Sequence, residues 1–180
     1  MSNKNISHAK RFDKKLFVQC IIFSVLIIIA TLFQISFFKV FGKTPAIVLC
    51  FVCAIGFLCG EHSGAICGVV GGFFVDILGI IGFGFSPVLY MLAGYFCGYF
   101  SKMFLKRNFL SFIIYSLCIG GIRSCFTLAY FAFRAKSFNI IDIFAKTLIP
   151  EFFAFFLCVP IVYFTCLGTV KIMQKFSPKN

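Results

Sequence analysis

The sequence predicts an all-helical integral membrane protein, a bundle of six transmembrane helices with both termini on the cytoplasmic side. Hydrophobic residues make up 61% of the 180 residues and charged residues 12%, and the mean hydropathy is +1.05. A soluble globular domain is about 45–50% apolar and about 25% charged, so that class is excluded. Intrinsic disorder requires low hydrophobicity and is excluded too. At about 20 residues a span, the chain has room for six crossings and no separate folded domain.

Charged residues and turn sequences divide the chain into a basic tail (1–15), one membrane domain (16–170) and a second cytoplasmic tail (171–180). The apolar run after the first tail is too long for a cleaved signal peptide. Pro45 begins the second span, where a missing N–H costs nothing, and a polar turn at residues 61–63 precedes the third. The predicted spans are 16–38, 45–60, 64–81, 87–104, 109–133 and 146–170.

The basic residues decide the predicted orientation. The net charge of +12 comes from 17 Lys and Arg against 5 Asp and Glu, and the basic residues gather at the ends of apolar runs. Eleven lie on the side of the N-terminus: five in the first tail, three around Lys106 and three in the last tail. Five lie on the opposite side. The positive-inside rule therefore predicts both termini inside, with the lipid bilayer rather than nucleic acid as the partner of this charge.

Neither a metal site nor a catalytic site is indicated by the sequence. The ten cysteines all fall in apolar runs, and the Cys50–Cys53 pair has no second pair or histidine at zinc-finger spacing. Motifs of zinc proteases, serine hydrolases and phosphate-binding loops are absent. The two histidines, His8 and His62, lie in the tail and in a turn. We therefore expect a non-enzymatic protein with no cofactor.

A glycine repeat is the most specific local pattern. Gly56, Gly60, Gly64, Gly68 and Gly72 follow one another at intervals of four residues. On a spanning helix, small residues at this spacing let a neighbouring backbone approach closely. Two interpretations remain open for the part that surely shares one helix (Gly64, Gly68 and Gly72): packing within the chain, or docking of a partner's helix.

Four polar residues fall inside predicted spans: Gln34, Asp76, Arg123 and Glu151. Ionisable groups in a span are costly unless paired or hydrated, and so they are commonly functional or buried in the bundle. Counted at about 1.5 Å per residue, all four lie at similar depth in the outer half of the membrane. We therefore predict a polar cluster in which Arg123 bridges Asp76, Glu151 or both, as a structural contact or as a binding pocket.

Several segments together resemble the MreD family of rod shape-determining proteins. They are TLFQISFF at residues 31–38, Pro45, the glycine repeat from Gly60 to Asp76, LGIIGFG at 78–84, and the tyrosine–glycine pattern from Tyr90 to Gly98. The run at 150–164 is similar to the family's last helix. One departure is Ala46, because the family commonly has Asp or Asn after that proline. Another is the missing asparagine in the last helix.

The resemblance implies a component of the bacterial cell-elongation machinery in the cytoplasmic membrane. Its expected partner is MreC, a bitopic protein, and through it the actin-like MreB, RodA and a class B transpeptidase of lateral peptidoglycan synthesis. The family is also similar in fold to the substrate-binding subunits (S components) of energy-coupling-factor vitamin transporters, and that function is the alternative. A channel or carrier is less favoured, because the glycine-rich half has no counterpart in the second half, as inverted repeats require.

Overall fold

The computed structural model describes residues 19–36, 46–77, 84–103, 108–134 and 149–176, and the regular structure in these ranges is entirely α-helical. The helices are α1 (Gln19–Ser36), α2 (Ile47–Cys59), α3 (Glu61–Ile77), α4 (Ser86–Met103), α5 (Phe109–Arg134) and α6 (Ile149–Phe176). The all-helical prediction is confirmed for this part of the chain.

Three of the helices contain segments long and apolar enough to cross a membrane. They are Gln19–Ser36 in α1, Phe109–Phe126 in α5 and Phe152–Met173 in α6. No more than 33% of the residues in any of these segments are buried inside the protein. Large apolar side chains such as Leu32, Ile114 and Phe153 lie on the outside. In a membrane protein this surface faces lipid, so length, composition and exposure agree on a helical membrane protein.

The core is built around α2. Ten of its 13 residues are buried, as expected for a helix that is apolar on all sides. Helices α3, α4, α5 and α6 all pack against it. At about 1.5 Å per residue, α2 is about 20 Å long, shorter than the hydrocarbon thickness of a bilayer. Both of its ends are contacted by other helices, at Val48 and at Phe57.

Helices α2 and α3 form a tight hairpin. Gly60 is the single residue between them, with φ 104°, a conformation that side chains other than glycine rarely adopt. The reversal brings Gly56 against Gly64. A Cβ added at Gly64 would lie 2.6 Å from the Cα of Gly56. Helix α4 then returns antiparallel to α3, with Gly98 near Glu61 and Pro87 near Gly72.

The last two helices pack antiparallel through aromatic rings. Tyr163 of α6 has its ring centroid 5.1 Å from those of both Phe109 and Phe112 of α5. Further along, Gly120 of α5 makes room for the ring of Phe155. Phe112 also lies 5.7 Å from Phe57, ring centroid to ring centroid, which joins this pair to α2.

Each described helix overlaps one of the segments predicted as spans, and two boundaries differ from the prediction. Residues 61–63 are the first turn of α3 rather than a separate turn, because Gly60 alone reverses the chain. Helix α6 continues to Phe176, into the segment predicted as a cytoplasmic tail (171–180). The predicted basic tail (1–15) lies outside the described residues.

Candidate functional site

The glycine repeat lies at the interface between α3 and α4. A Cβ added at Gly64 would be 2.5 Å from the carbonyl oxygen of Gly94, and one at Gly72 would be 2.6 Å from the nitrogen of Pro87. An added Cβ at Gly68 would likewise meet the backbone of α4, 2.8 Å from the Met91 Cα. Such distances leave no room for a methyl group, so the two backbones are in direct contact along this line.

This arrangement answers the question that the repeat left open. Gly64, Gly68 and Gly72 do admit a close backbone, and that backbone belongs to α4 of the same chain. Two glycines of α4, Gly94 and Gly98, meet α3 in the same way. The expected role of this face as a docking surface for another protein's helix is therefore not supported, because α4 covers it.

Gln34 of α1 caps the first turn of α2. Its Oε1 accepts a hydrogen bond from the backbone N–H of Val48 at 3.1 Å. The first N–H groups of a helix have no partner inside the helix, and Ala46 at the N-cap offers no side-chain hydrogen bond. Gln34 is completely buried, and its Nε2 has no hydrogen-bond partner among the described residues. Gln34 thus supplies from a neighbouring helix the hydrogen-bond acceptor that Ala46 cannot offer.

Ser101 of α4 has a matching role at the other end of α2, and sequence reasoning missed it. Its hydroxyl donates to the carbonyl oxygen of Phe57 at 3.1 Å, and both groups are buried. The last carbonyl groups of a helix also lack partners inside the helix. A signal was present, since Ala93, Cys97 and Ser101 form a line of small residues at helical spacing. Both ends of the central helix are therefore capped by other helices.

Asp76 lies at the end of α3 that is opposite the Gly60 turn. Its Oδ2 accepts a hydrogen bond from the backbone N–H of Gly84 at 2.8 Å, and Gly84 has φ 91°. The residue is 9% exposed, and its Oδ1 is buried with no hydrogen-bond partner in the described part of the chain. The carboxylate therefore fixes the start of the turn into α4 with one oxygen and keeps the other available for a further hydrogen bond.

The predicted ion pair between Asp76 and Arg123 is not formed. Among the described residues, the ion pairs within 4.0 Å both involve Glu61. Arg123 is nevertheless buried, at 4% exposure. The Glu151 side chain lies outside the described residues, so its predicted pairing with Arg123 stays a prediction. Gln34, Asp76 and Arg123 are buried as predicted, but each of the first two contacts backbone instead of a charge.

A second polar contact lies beside the Gly60 turn. The Lys102 ammonium of α4 is 2.8 Å from Glu61 Oε1, and the His62 ring is 3.8 Å from the same oxygen. Lys102 is half exposed and His62 mostly exposed. Glu61 also begins α3, where a negative charge is favourable toward the helix dipole. The pair connects the start of α3 to the end of α4.

An apolar groove separates α4 from α5. It encloses about 500 Å³ and is lined by apolar or aromatic side chains, including Leu89, Phe96 and Phe100 of α4. Tyr115 and Ile122 are among the residues on the α5 side. Several lining residues, among them Phe96 and Ile122, are also exposed on the outer surface. The groove therefore opens toward the outer surface of the helical bundle.

The described residues contain no group of three or more His, Cys, Asp or Glu side chains that could hold a metal ion. Comparisons of the chain with protein-family models, curated proteins and solved structures found no match. The resemblance to the MreD family therefore stays a prediction from the quoted motifs.

Proposed function

We propose that this protein is a non-enzymatic, MreD-like component of the bacterial cell-elongation machinery in the cytoplasmic membrane. In this role it binds the transmembrane helix of MreC and thereby positions MreB, RodA and a class B transpeptidase for lateral peptidoglycan synthesis. The sequence motifs suggest the family, and the structure supplies a surface suited to such a partner.

The proposal includes a six-span topology with both termini inside. Under it, the end of the bundle with Glu61 and Lys102 is cytoplasmic, and the end with Asp76 and Ser86 faces outward. The contacts agree with this arrangement, since α3 and α4 are antiparallel and Glu61 meets Lys102 at a single end. The charge distribution along the sequence supports the same orientation.

The observation that carries the proposal is the apolar groove between α4 and α5. Its lining offers almost no polar atoms, so it cannot hold ordered water, which needs two to four polar partners. A polar substrate is unsuited for the same reason. The groove is open to the membrane, and the side chains along one face of a single apolar helix would fill it. A bitopic partner such as MreC contributes one such helix.

The polar and glycine residues fit a scaffold as well. Gln34 and Ser101 cap α2, and the glycines close α3 onto α4. Within the described residues these contacts hold the helices in place, and they do not converge on a point where a reaction could occur. A rigid bundle with an open apolar groove is suited to presenting a surface to another membrane protein.

Co-purification with MreC tests the groove directly. Ile122→Trp, at a groove residue that is 54% exposed, should fill the groove and reduce the amount of MreC retained in mild detergent. Ile161→Trp is the matched control, because Ile161 of α6 is 65% exposed and does not line the groove. Loss of MreC with Ile122→Trp alone supports the proposal. Equal retention by both variants rejects the groove, and no MreC with the unaltered protein rejects the function.

The transporter alternative requires a polar ligand pocket. The described groove is apolar, and the predicted ion pair between Asp76 and Arg123 is not formed. The sequence also lacks the patch of small residues that such subunits usually carry in the first span. No described feature therefore favours this function over the scaffold, and tight co-purification of a vitamin would be the result that restores it.

A further inference from the structure

Two pairs of aromatic rings connect α4 to α5 and bound the apolar groove at its two ends. At one end, Phe100 of α4 stacks on Tyr115 of α5, with ring centroids 5.8 Å apart and planes at 21°. At the other, the ring of Phe85, the residue before α4, lies 5.3 Å from that of Phe126 of α5, centroid to centroid. Phe100, Tyr115 and Phe126 all line the groove. The groove is thus limited lengthwise by rings and is entered from the side.

The groove exists because small residues lie between the two ring pairs. Ala93 and Cys97 of α4 and Cys118 of α5 are part of its lining. Ala93 is 6% exposed and Cys97 is completely buried, so these two small side chains form the floor of the groove. The ring pairs hold the two helices apart at the ends, and side chains of this size do not fill the space between. The groove is therefore deepest between the ring pairs, where a large inserted side chain fits.

The distance between the ring pairs limits what can bind. Phe126 follows Tyr115 by eleven residues, which is about 16.5 Å along the axis of α5. A helix that binds in a groove inserts side chains at positions i, i+4 and i+7, and these three cover about 10.5 Å. A fourth side chain at i+11 would bring the length to about 16.5 Å and would meet one of the rings. The groove therefore has room for three anchoring side chains of a bound helix.

The chemistry of the lining selects the type of side chain. The lining residues are apolar or aromatic, so a polar side chain inserted between them would be buried without a hydrogen-bond partner. A charged side chain would be less favourable still. A large aliphatic side chain fills the space and gains van der Waals contacts, which drive the association of helices in a membrane. The groove therefore fits a helix that presents three such residues within about two turns.

We propose that the groove recognises its partner through three large aliphatic side chains on one spanning helix, and that the two ring pairs fix the position of that helix along the groove. This mode of recognition rests on the proposed function, because it specifies which part of the MreC helix binds. A helix displaced by one turn would press an anchoring side chain against Phe100 or Phe126. Such a clash excludes helices whose aliphatic residues have a different spacing. The ring pairs therefore determine specificity.

The ring pairs can be altered without opening the core of the bundle. Phe85 is 50% exposed, Phe126 is 49% exposed and Phe100 is 36% exposed, so each ring has a face on the outer surface. Phe164 of α6 offers a comparison, because it is 64% exposed and its ring centroid is 5.8 Å from that of Phe109 of α5. It is not among the residues that line the groove. Phe164→Ala is therefore a matched control for the loss of one exposed ring.

An alanine scan of the spanning helix of MreC tests the number of anchors. Each residue of that helix is replaced by Ala in turn, and binding of dye-labelled MreC to the full-length, unaltered protein is measured in mild detergent. The affinity should fall about tenfold or more at three positions in the pattern i, i+4, i+7, and little elsewhere. With Phe100→Ala a fourth position should become sensitive one turn beyond that end, and with Phe126→Ala one turn beyond the opposite end. Phe164→Ala should leave the pattern unchanged.

The outcomes separate this mode of recognition from the proposed function. If MreC binds but the unaltered protein shows a number of sensitive positions other than three, the recognition is rejected and the function stands. The same holds if neither Phe100→Ala nor Phe126→Ala changes the pattern. A phospholipid that stays in the groove while MreC is bound, detected by mass spectrometry of the intact complex, would also reject it. If the unaltered protein binds no MreC, the proposed function fails and the recognition fails with it.

Discussion

Helix α4 has two neighbours and contacts them in opposite ways. Toward α3 it presents Gly94 and Gly98, and the two backbones touch because glycines also line α3. Toward α5 it presents Phe96 and Phe100, and an apolar groove of about 500 Å³ remains between the helices. Glycine removes the side chains that would separate two helices, whereas large rings keep them apart and leave uneven gaps. One side of α4 is thus fixed, and the other can accept a partner.

The largest effect is expected on the fixed side. Gly68→Leu would force a side chain into the backbone of α4 and should lower the free energy of unfolding by about 3 kcal/mol or more, as severe overpacking does. Gly121→Leu is the control, since an added Cβ at Gly121 of α5 meets nothing within 4 Å. Titration with denaturing detergent, followed by circular dichroism, measures both. Equal loss from the two variants would contradict the contact between α3 and α4.

A smaller effect is expected where α4 supports α2. Ser101→Ala leaves the Phe57 carbonyl without its side-chain partner and should cost about 1 kcal/mol of unfolding free energy. Ser63→Ala is a matched control, because Ser63 is also buried and its hydroxyl has no hydrogen-bond partner within the described helices. The same titration should show no loss for Ser63→Ala. A Ser101 variant as stable as the control would show that the cap is unimportant.

The ion pair between Glu61 and Lys102 should contribute less to the free energy of unfolding than the Ser101 hydrogen bond does. Glu61 and Lys102 are 2.8 Å apart, but the Lys102 side chain is 53% exposed, so water and salt screen the pair. A double-mutant cycle with Glu61→Gln and Lys102→Met should give a coupling energy of at most about 1 kcal/mol, decreasing at high salt. A coupling that is large and independent of salt would show that the pair is shielded from solvent.

The smallest effect on stability is expected on the open side. Ile122→Trp adds atoms to the groove, where space is available, and should change the free energy of unfolding by less than about 0.5 kcal/mol. The Ile122→Trp variant should nevertheless bind less MreC. A strong destabilisation would mean that α4 and α5 close on each other in solution and that the groove is not open.

The helices themselves could be predicted from the sequence because they depend on local patterns. Apolar length and turn residues located the helices that the structure describes, and the glycine spacing predicted a close backbone contact with an unidentified neighbour. The identity of the neighbour could not be read from the glycines of α3 alone. Gly94 and Gly98 of α4 have the same four-residue spacing as the glycines of α3. Matching the glycines of the two helices would have indicated a contact within the chain.

The partners of the polar residues could not be predicted from sequence patterns. The cost of a polar group in a span favours burial, and Gln34 and Asp76 are both buried. The predicted cluster paired Asp76 with Arg123 and included Gln34 without a named partner, because only contacts between side chains were considered. Gln34 and Asp76 both accept hydrogen bonds from backbone N–H groups, which arise only when helix ends and turns are in place. Ser101 was missed for the same reason.

The most direct test of the proposed scaffold is a detergent pull-down of the tagged, unaltered protein from the membranes of its own cells. Mass spectrometry would identify both the proteins and the small molecules retained. The account predicts MreC together with enzymes of cell elongation and no tightly bound small molecule. A retained vitamin or a transporter ATPase, with MreC absent, would contradict it.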